Sequence, residues 1–118
     1  MNNEQYKKIM ERLDFIEFRQ ELIFNNTDID RTIFEYKISR KQYNEIMNLM
    51  VKLQDSIENG EKYSHYDFEQ KMYKIVPEHD GDYHMCELIA KEFMNDGRWE
   101  DVFKTLYGDM TKYSNLKK

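Results

Sequence analysis

Residues 78–87 hold the densest set of side chains able to do chemistry: Glu78, His79, Asp80, Asp82, His84, Cys86 and Glu87. Carboxylates, imidazoles and a thiol are the groups that ligate zinc or calcium. The spacing is poor for either metal. A helix–loop–helix calcium site needs a longer alternating run of oxygen ligands and a distal glutamate. His84 and Cys86 lie two apart at a helix start, so they point to different faces. The acids suit the positive N-terminus of the helix that follows. The segment is therefore expected to be a helix-capping loop, with no cofactor and no metal. A metal-dependent activity is the alternative.

Cys86 could act as a nucleophile only with a histidine base beside it and donors for an oxyanion. His79 and His84 are near in sequence, but no known nucleophile frame surrounds them. A buried structural thiol is the expectation. Residues 30–58 read as a short helix, a tight turn and a longer helix, which invites comparison with a helix-turn-helix DNA-binding regulator. Arg40, Lys41 and Lys52 on the longer helix are offset by Glu45, Asp55 and Glu58. No basic stripe forms, which argues against nucleic acid. There is no glycine-rich phosphate loop, no Ser-His-Asp set and no HExxH motif. Catalytic residues: none is expected.

The elements that would carry these groups are helical throughout. Four glycines and one proline in 118 residues leave few breaks, and the abundance of Lys, Glu, Gln, Met and Leu favours helix over strand. An all-α single domain of about six helices with short connections is expected, with 1–25 as a long N-terminal helix and 28–112 as the helical core. Asn2 with Gln5, Ser39 with Gln42 and Ser64 with Asp67 have capping-box spacing. Asp28 or Asp30 is expected to cap the second helix, and Asp80 or Asp82 the fifth. Asn59-Gly60, Val76-Pro77 and Asn95-Asp96-Gly97 read as stops. Core stripes are Tyr43, Ile46, Met47, Met50, Leu53 and Ile57 in the third helix, and Phe68, Met72 and Ile75 in the fourth. The fifth carries Leu88, Ile89 and Phe93. In the sixth, Trp99, Val102, Phe103, Leu106 and Met110 run past Gly108, and 111–118 reads as a ragged end.

Composition narrows the class further. The net charge is −5 and the pI about 5.2, unfavourable for a phosphate backbone. No eighteen-residue apolar run marks a membrane span, and the charged N-terminus does not read as a signal peptide. One cysteine makes no internal disulfide, so a cytoplasmic location is expected.

The first helix is apolar on two opposite faces. Ile9, Leu13, Ile16 and Ile23 gather on one side, with Tyr6 and Phe24 at its margin. Phe15, Phe18 and Leu22 gather on the other. Asp14, Glu17 and Glu21 line one flank, and Lys8, Arg12 and Arg19 the other. A helix greasy on two sides needs two neighbours, and sorted flanking charge is the pattern that sets direction in helix pairing. The first face is expected on the chain's own core. Phe15, Phe18 and Leu22, with Glu11 and Arg19 beside them, are expected to form the interface of a homo-oligomer, a dimer. The rival reading makes this helix the centre of a monomeric bundle.

The chain resembles the YhaI-like small proteins of Bacillus and relatives, a domain of unknown function. Met10-Glu11-Arg12-Leu13, Asp28-Ile29-Asp30-Arg31 with Phe34, Ile38-Ser39, Phe68 and Gly97-Arg98-Trp99 with Phe103 carry the resemblance. Lys37 stands where a glycine is expected before the Ile38-Ser39 turn. The resemblance implies a multihelical, self-associating protein and supplies no activity. Together these readings point to a non-enzymatic interaction module. An inhibitor of a host protein, of the phage type, is a further alternative, with a heterologous protein partner in place of a second copy.

Overall fold

The computed structural model describes residues 1–110 and 112. The described residues fold into six α-helices without strands, as one all-α domain. These are α1 (Asn3–Asn25), α2 (Asp28–Glu35), α3 (Arg40–Glu58), α4 (His65–Ile75), α5 (Tyr83–Asn95) and α6 (Glu100–Tyr107), with one 3-10 turn at Pro77–His79. All of the ragged-end segment 111–118 except Lys112, including Lys117 and Lys118, lies outside the described residues.

Local signals set the helix starts. The boxes Asn2/Gln5, Ser39/Gln42 and Ser64/Asp67 are each made reciprocally, side chain to backbone in both directions. Asp82 caps α5 by accepting from the Met85 amide. For α2 the cap is Thr27, which accepts from the Asp30 amide, so neither Asp28 nor Asp30 takes that role. Asp28 and Asp30 instead place negative charge in the first turn, where the helix dipole favours it.

Three helix ends, those of α2, α3 and α5, share one device. After α3, the Gly60 amide donates to Ile57 and the Glu61 amide to Ser56, with Gly60 left-handed at φ +83°. After α2 the same 5→2 and 6→1 bonds run from Lys37 to Phe34 and from Ile38 to Ile33. Here the left-handed residue is Lys37, at φ +55°. The position calls for glycine, because a Cβ is penalised there. Ile33 and Ile38, which flank the motif, are both fully buried and provide its hydrophobic contact.

The core is built by α2 to α6 together with Phe18 and Leu22 of α1. Ile29, Ile33, Ile46, Met50, Leu53, Phe68, Met72, Met85, Ile89, Phe93, Val102 and Phe103 are all buried. Consecutive helices from α3 onward touch, and α3 also meets α6 while α2 meets α5. Four stripes differ from expectation. Ile75 of α4, and Trp99 and Met110 flanking α6, are only half-buried against the core. In α3 Leu49 is buried, while Met47 and Ile57 sit at the core's edge. In α5 Leu88 is 38% exposed, and Met85 and Ala90 fill the core beside Cys86 and Ile89. Helix α6 ends at Tyr107 rather than beyond Gly108.

Three buried acids pin the helices together. Glu92 of α5 accepts from Thr32 Oγ1 of α2 at 2.5 Å. Glu69 of α4 accepts from the Tyr107 hydroxyl of α6 at 2.7 Å. Asp30 of α2 accepts from the Tyr43 hydroxyl of α3 at 3.5 Å. Among the described residues, no buried side-chain nitrogen or oxygen lacks a partner, as burial of polar groups demands.

Candidate functional site

The 78–87 cluster is a set of separate structural contacts. Glu78 accepts from Gln42 Nε2 at 2.7 Å. His79 donates through Nε2 to the Tyr36 carbonyl at 2.7 Å and meets the Tyr36 ring edge-on at 5.3 Å. Asp82 is spent on the α5 cap, and His84 packs on Tyr83 with ring centroids 4.4 Å apart. Glu87 pairs with Lys112 at 2.8 Å. No three His, Cys, Asp or Glu side chains converge on a metal position among the described residues. Cys86 is fully buried, and desolvation pushes its thiol up to about 12. It is a neutral core side chain at neutral pH, not a thiolate nucleophile.

The helix-turn-helix reading also loses its leading cation. Arg40 donates to Asp14 Oδ1 at 3.2 Å and to Glu21 Oε2 at 2.8 Å, so it holds α1 against the start of α3.

Helix α1 carries the largest unpartnered surface. At 23 residues it is about 34 Å long. Its C-terminal half alone reaches the body: residues 1–14 are all exposed. Phe18 is 5% exposed and Leu22 2%, both in the core, and Phe15 is half-buried. Phe18 meets Tyr43 with ring centroids 6.0 Å apart. Arg19 Nη1 donates to the Phe34 carbonyl at 2.8 Å, and its guanidinium lies 3.7 Å from the Phe34 ring centroid.

The expected roles of the two faces are therefore exchanged. Phe18 and Leu22 are buried within their own chain and are not open to a partner. Phe15 and Arg19 are half-buried beside them, while Glu11 is exposed. Two of the three acids on the acidic flank reach the body too, since Asp14 and Glu21 hold Arg40. Tyr6, Ile9, Met10, Leu13, Ile16, Ile23 and Phe24 face outward, with Ile16 at 58% and Phe24 at 88% exposure. The central-helix alternative fails for the same reason: α1 lies at the periphery, with α2 as its main neighbour.

No family model, no curated protein and no solved structure matches the chain.

The exposed residues have a definite register. Tyr6, Ile9, Leu13, Ile16, Gln20 and Ile23 are spaced 3, 4, 3, 4 and 3, the a/d repeat of a helix-pairing seam. Tyr6, Leu13 and Gln20 take position a, and Ile9, Ile16 and Ile23 position d. Phe15, Phe18 and Leu22 then fall at c and f, on the back. Arg12 at g and Glu17 at e border the seam, and neither has an ion-pair partner among the described residues. The 3,4 spacing was readable in the sequence. It runs along the whole helix, whereas the Phe15–Leu22 stripe covers only the two turns that touch the body.

No helix among the described residues is long and apolar enough to cross a membrane.

Proposed function

We propose that the chain is a non-enzymatic interaction module that joins further copies of itself through the outer face of α1. The single observation that carries this reading is the exposed a/d seam from Tyr6 to Ile23, set opposite the face that anchors α1 to its body. Large apolar side chains in one contiguous exposed row mark an association surface. Helix α1 also needs support along its free half. A three-turn helical segment with no tertiary packing is marginal in water, and a second seam laid along it provides that packing.

The charge of α1 favours another helix over a lipid or nucleic-acid surface. It carries four basic residues (Lys7, Lys8, Arg12, Arg19) against five acidic ones (Glu4, Glu11, Asp14, Glu17, Glu21). An interfacial membrane helix has a basic polar face, and a phosphate-binding one needs a cationic excess. A second copy fits because it presents the same seam with oppositely charged margins. The resemblance to YhaI-like proteins belongs to this same proposal, since it also implies self-association.

Light scattering over a range of concentration up to high micromolar tests the reading. The wild type should run above its monomer mass, and Ile16→Glu should run as a folded monomer that keeps the helical body and loses helical content only from the free half of α1. A wild type that stays monomeric throughout overturns the proposal.

A further inference from the structure

We propose that the α1 helices associate parallel and in register, so that the bodies of all copies sit at the same end of the assembly. This rests on the self-association proposed above and names its geometry.

Two directions are open to a seam of this length, and the apolar positions alone do not choose between them. In an antiparallel pair, Leu13 meets Ile16, Ile9 meets Gln20 and Tyr6 meets Ile23 of the other copy. In a parallel in-register pair, every seam residue meets its own counterpart. Both arrangements bury the same side chains.

The polar residues do choose. Gln20 occupies a seam position otherwise filled by large apolar side chains. Laid parallel, two Gln20 amides face each other, and each can donate to the other's carbonyl oxygen. Laid antiparallel, Gln20 is pressed against Ile9 and its amide loses water without gaining a partner. A polar residue at one a position is a known device for fixing register and direction.

The margins agree. Arg12 at g and Glu17 at e are five residues apart, the separation that joins the g position of one helix to the e position of its parallel neighbour. Each parallel contact therefore gains Arg12–Glu17 pairs between copies. The antiparallel arrangement sets g beside g, bringing Arg12 of one copy near Arg19 of the other. Of the other charged flank residues, Lys8 falls at position c, off the seam, and three are committed within the chain. Asp14 and Glu21 hold Arg40, and Arg19 holds Phe34. The bodies do not obstruct either direction, because they attach through Phe18 and Leu22 on the back of the helix.

Disulfide trapping tests the direction. Ile9→Cys and Gln20→Cys are oxidised separately and as a mixture, with the wild type as control, since Cys86 is buried and carries its thiol neutral. Ile9→Cys alone should give a reducible species of twice the chain mass, and the mixture should add no further yield. Cross-linking seen only in the mixture overturns the parallel assignment and leaves self-association standing. No cross-link in any sample, with an oligomeric wild type by light scattering, puts the contact elsewhere and also overturns the parallel assignment. A monomeric wild type overturns both readings.

Discussion

Truncating Ile16 and truncating Phe18 should have opposite consequences, although the two residues are one step from being neighbours on the same helix. Ile16 is 58% exposed and lies on the seam, while Phe18 is 5% exposed and lies in the core. Complete burial of an isoleucine side chain stabilises by roughly 1.5–3 kcal/mol. With just over half of Ile16 still to be covered, association gains about 1–1.7 kcal/mol from each copy. Two copies meet at each contact, so Ile16→Ala should weaken it by roughly 2–3.5 kcal/mol, or about 30- to 400-fold in dissociation constant. In the dissociated chain the same substitution should be close to neutral, because alanine is the better helix former. Phe18→Ala instead opens a cavity where α1 meets the body, at a cost of about 3–5 kcal/mol. That is a large share of the roughly 5–15 kcal/mol holding a domain together. Sedimentation equilibrium and thermal unfolding at low concentration measure the two effects separately. Ile16→Ala should lose mass and keep its melting temperature, and Phe18→Ala should lose melting temperature. The reverse pattern, a stable monomer from Phe18→Ala and an unstable oligomer from Ile16→Ala, would refute the assignment of faces.

Other perturbations follow from single positions. Lys37→Gly should raise stability by up to about 1 kcal/mol in urea unfolding, because Lys37 is left-handed at φ +55° and a non-glycine residue there costs about 1–2 kcal/mol, less the extra chain entropy of glycine. Burial raises the Glu92 carboxyl above its ordinary range, so the folded chain holds this proton more tightly than the unfolded one and loses stability as pH rises through that interval. Glu92→Gln keeps an acceptor for Thr32 and removes the charge. Its melting temperature should exceed the wild type's at pH 7, and the gap should close in acid; a gap that stays constant with pH would refute this. Cys86 should resist a thiol reagent at pH 8 in the native chain and react fully in denaturant, as a fully buried thiol pushed up to about 12 requires. Isoleucine at all three d positions with leucine at one a position favours three or four strands over two. Exchanging Leu13→Ile together with Ile9, Ile16 and Ile23→Leu should therefore lower the assembly mass toward a dimer in sedimentation equilibrium.

What was legible in the sequence was what depends on neighbours within a turn of chain. The boxes Asn2/Gln5, Ser39/Gln42 and Ser64/Asp67 and the stops at Gly60 and Gly97 are made by residues three to five positions apart, so spacing sufficed. The buried acids were not legible in this way. Glu92, Glu69 and Asp30 find their partners 60, 38 and 13 residues away, and nothing local distinguishes them from solvated acids. The role of each α1 face failed for a related reason. Both faces are apolar, and periodicity says that a helix has two neighbours without saying which neighbour is its own body. The deciding contacts come from α2 and α3, through Phe34, Arg40 and Tyr43. The lengths of the two stripes carry one clue: a stripe that spans the full helix suits a partner of equal length, whereas one confined to residues 15–22 suits a body touching half of it.

The clamp that joins α1 to its body also fixes how the seam is presented. Asn26 and Thr27 are the only residues between α1 and α2, and a two-residue link allows little travel. Rotation of α1 about its axis is opposed on both flanks. Arg40 grips Asp14 and Glu21 on one side, and Arg19 is seated on Phe34 on the other. Turning the helix to bury Ile9, Leu13 and Ile16 would break both grips and expose Phe18 and Leu22. In the proposed assembly the clamped half of the seam is therefore presented already oriented, which lowers the entropy that association has to meet. The same clamp holds each body on the far side of its helix from the seam. The proposed parallel arrangement would then carry several bodies side by side at one end, with the free N-terminal turns of α1 paired beyond them. Loosening the clamp tests this directly. Arg40→Ala should weaken association although Arg40 lies off the seam, and an unchanged dissociation constant would show that the orientation of α1 is set by the apolar contacts alone.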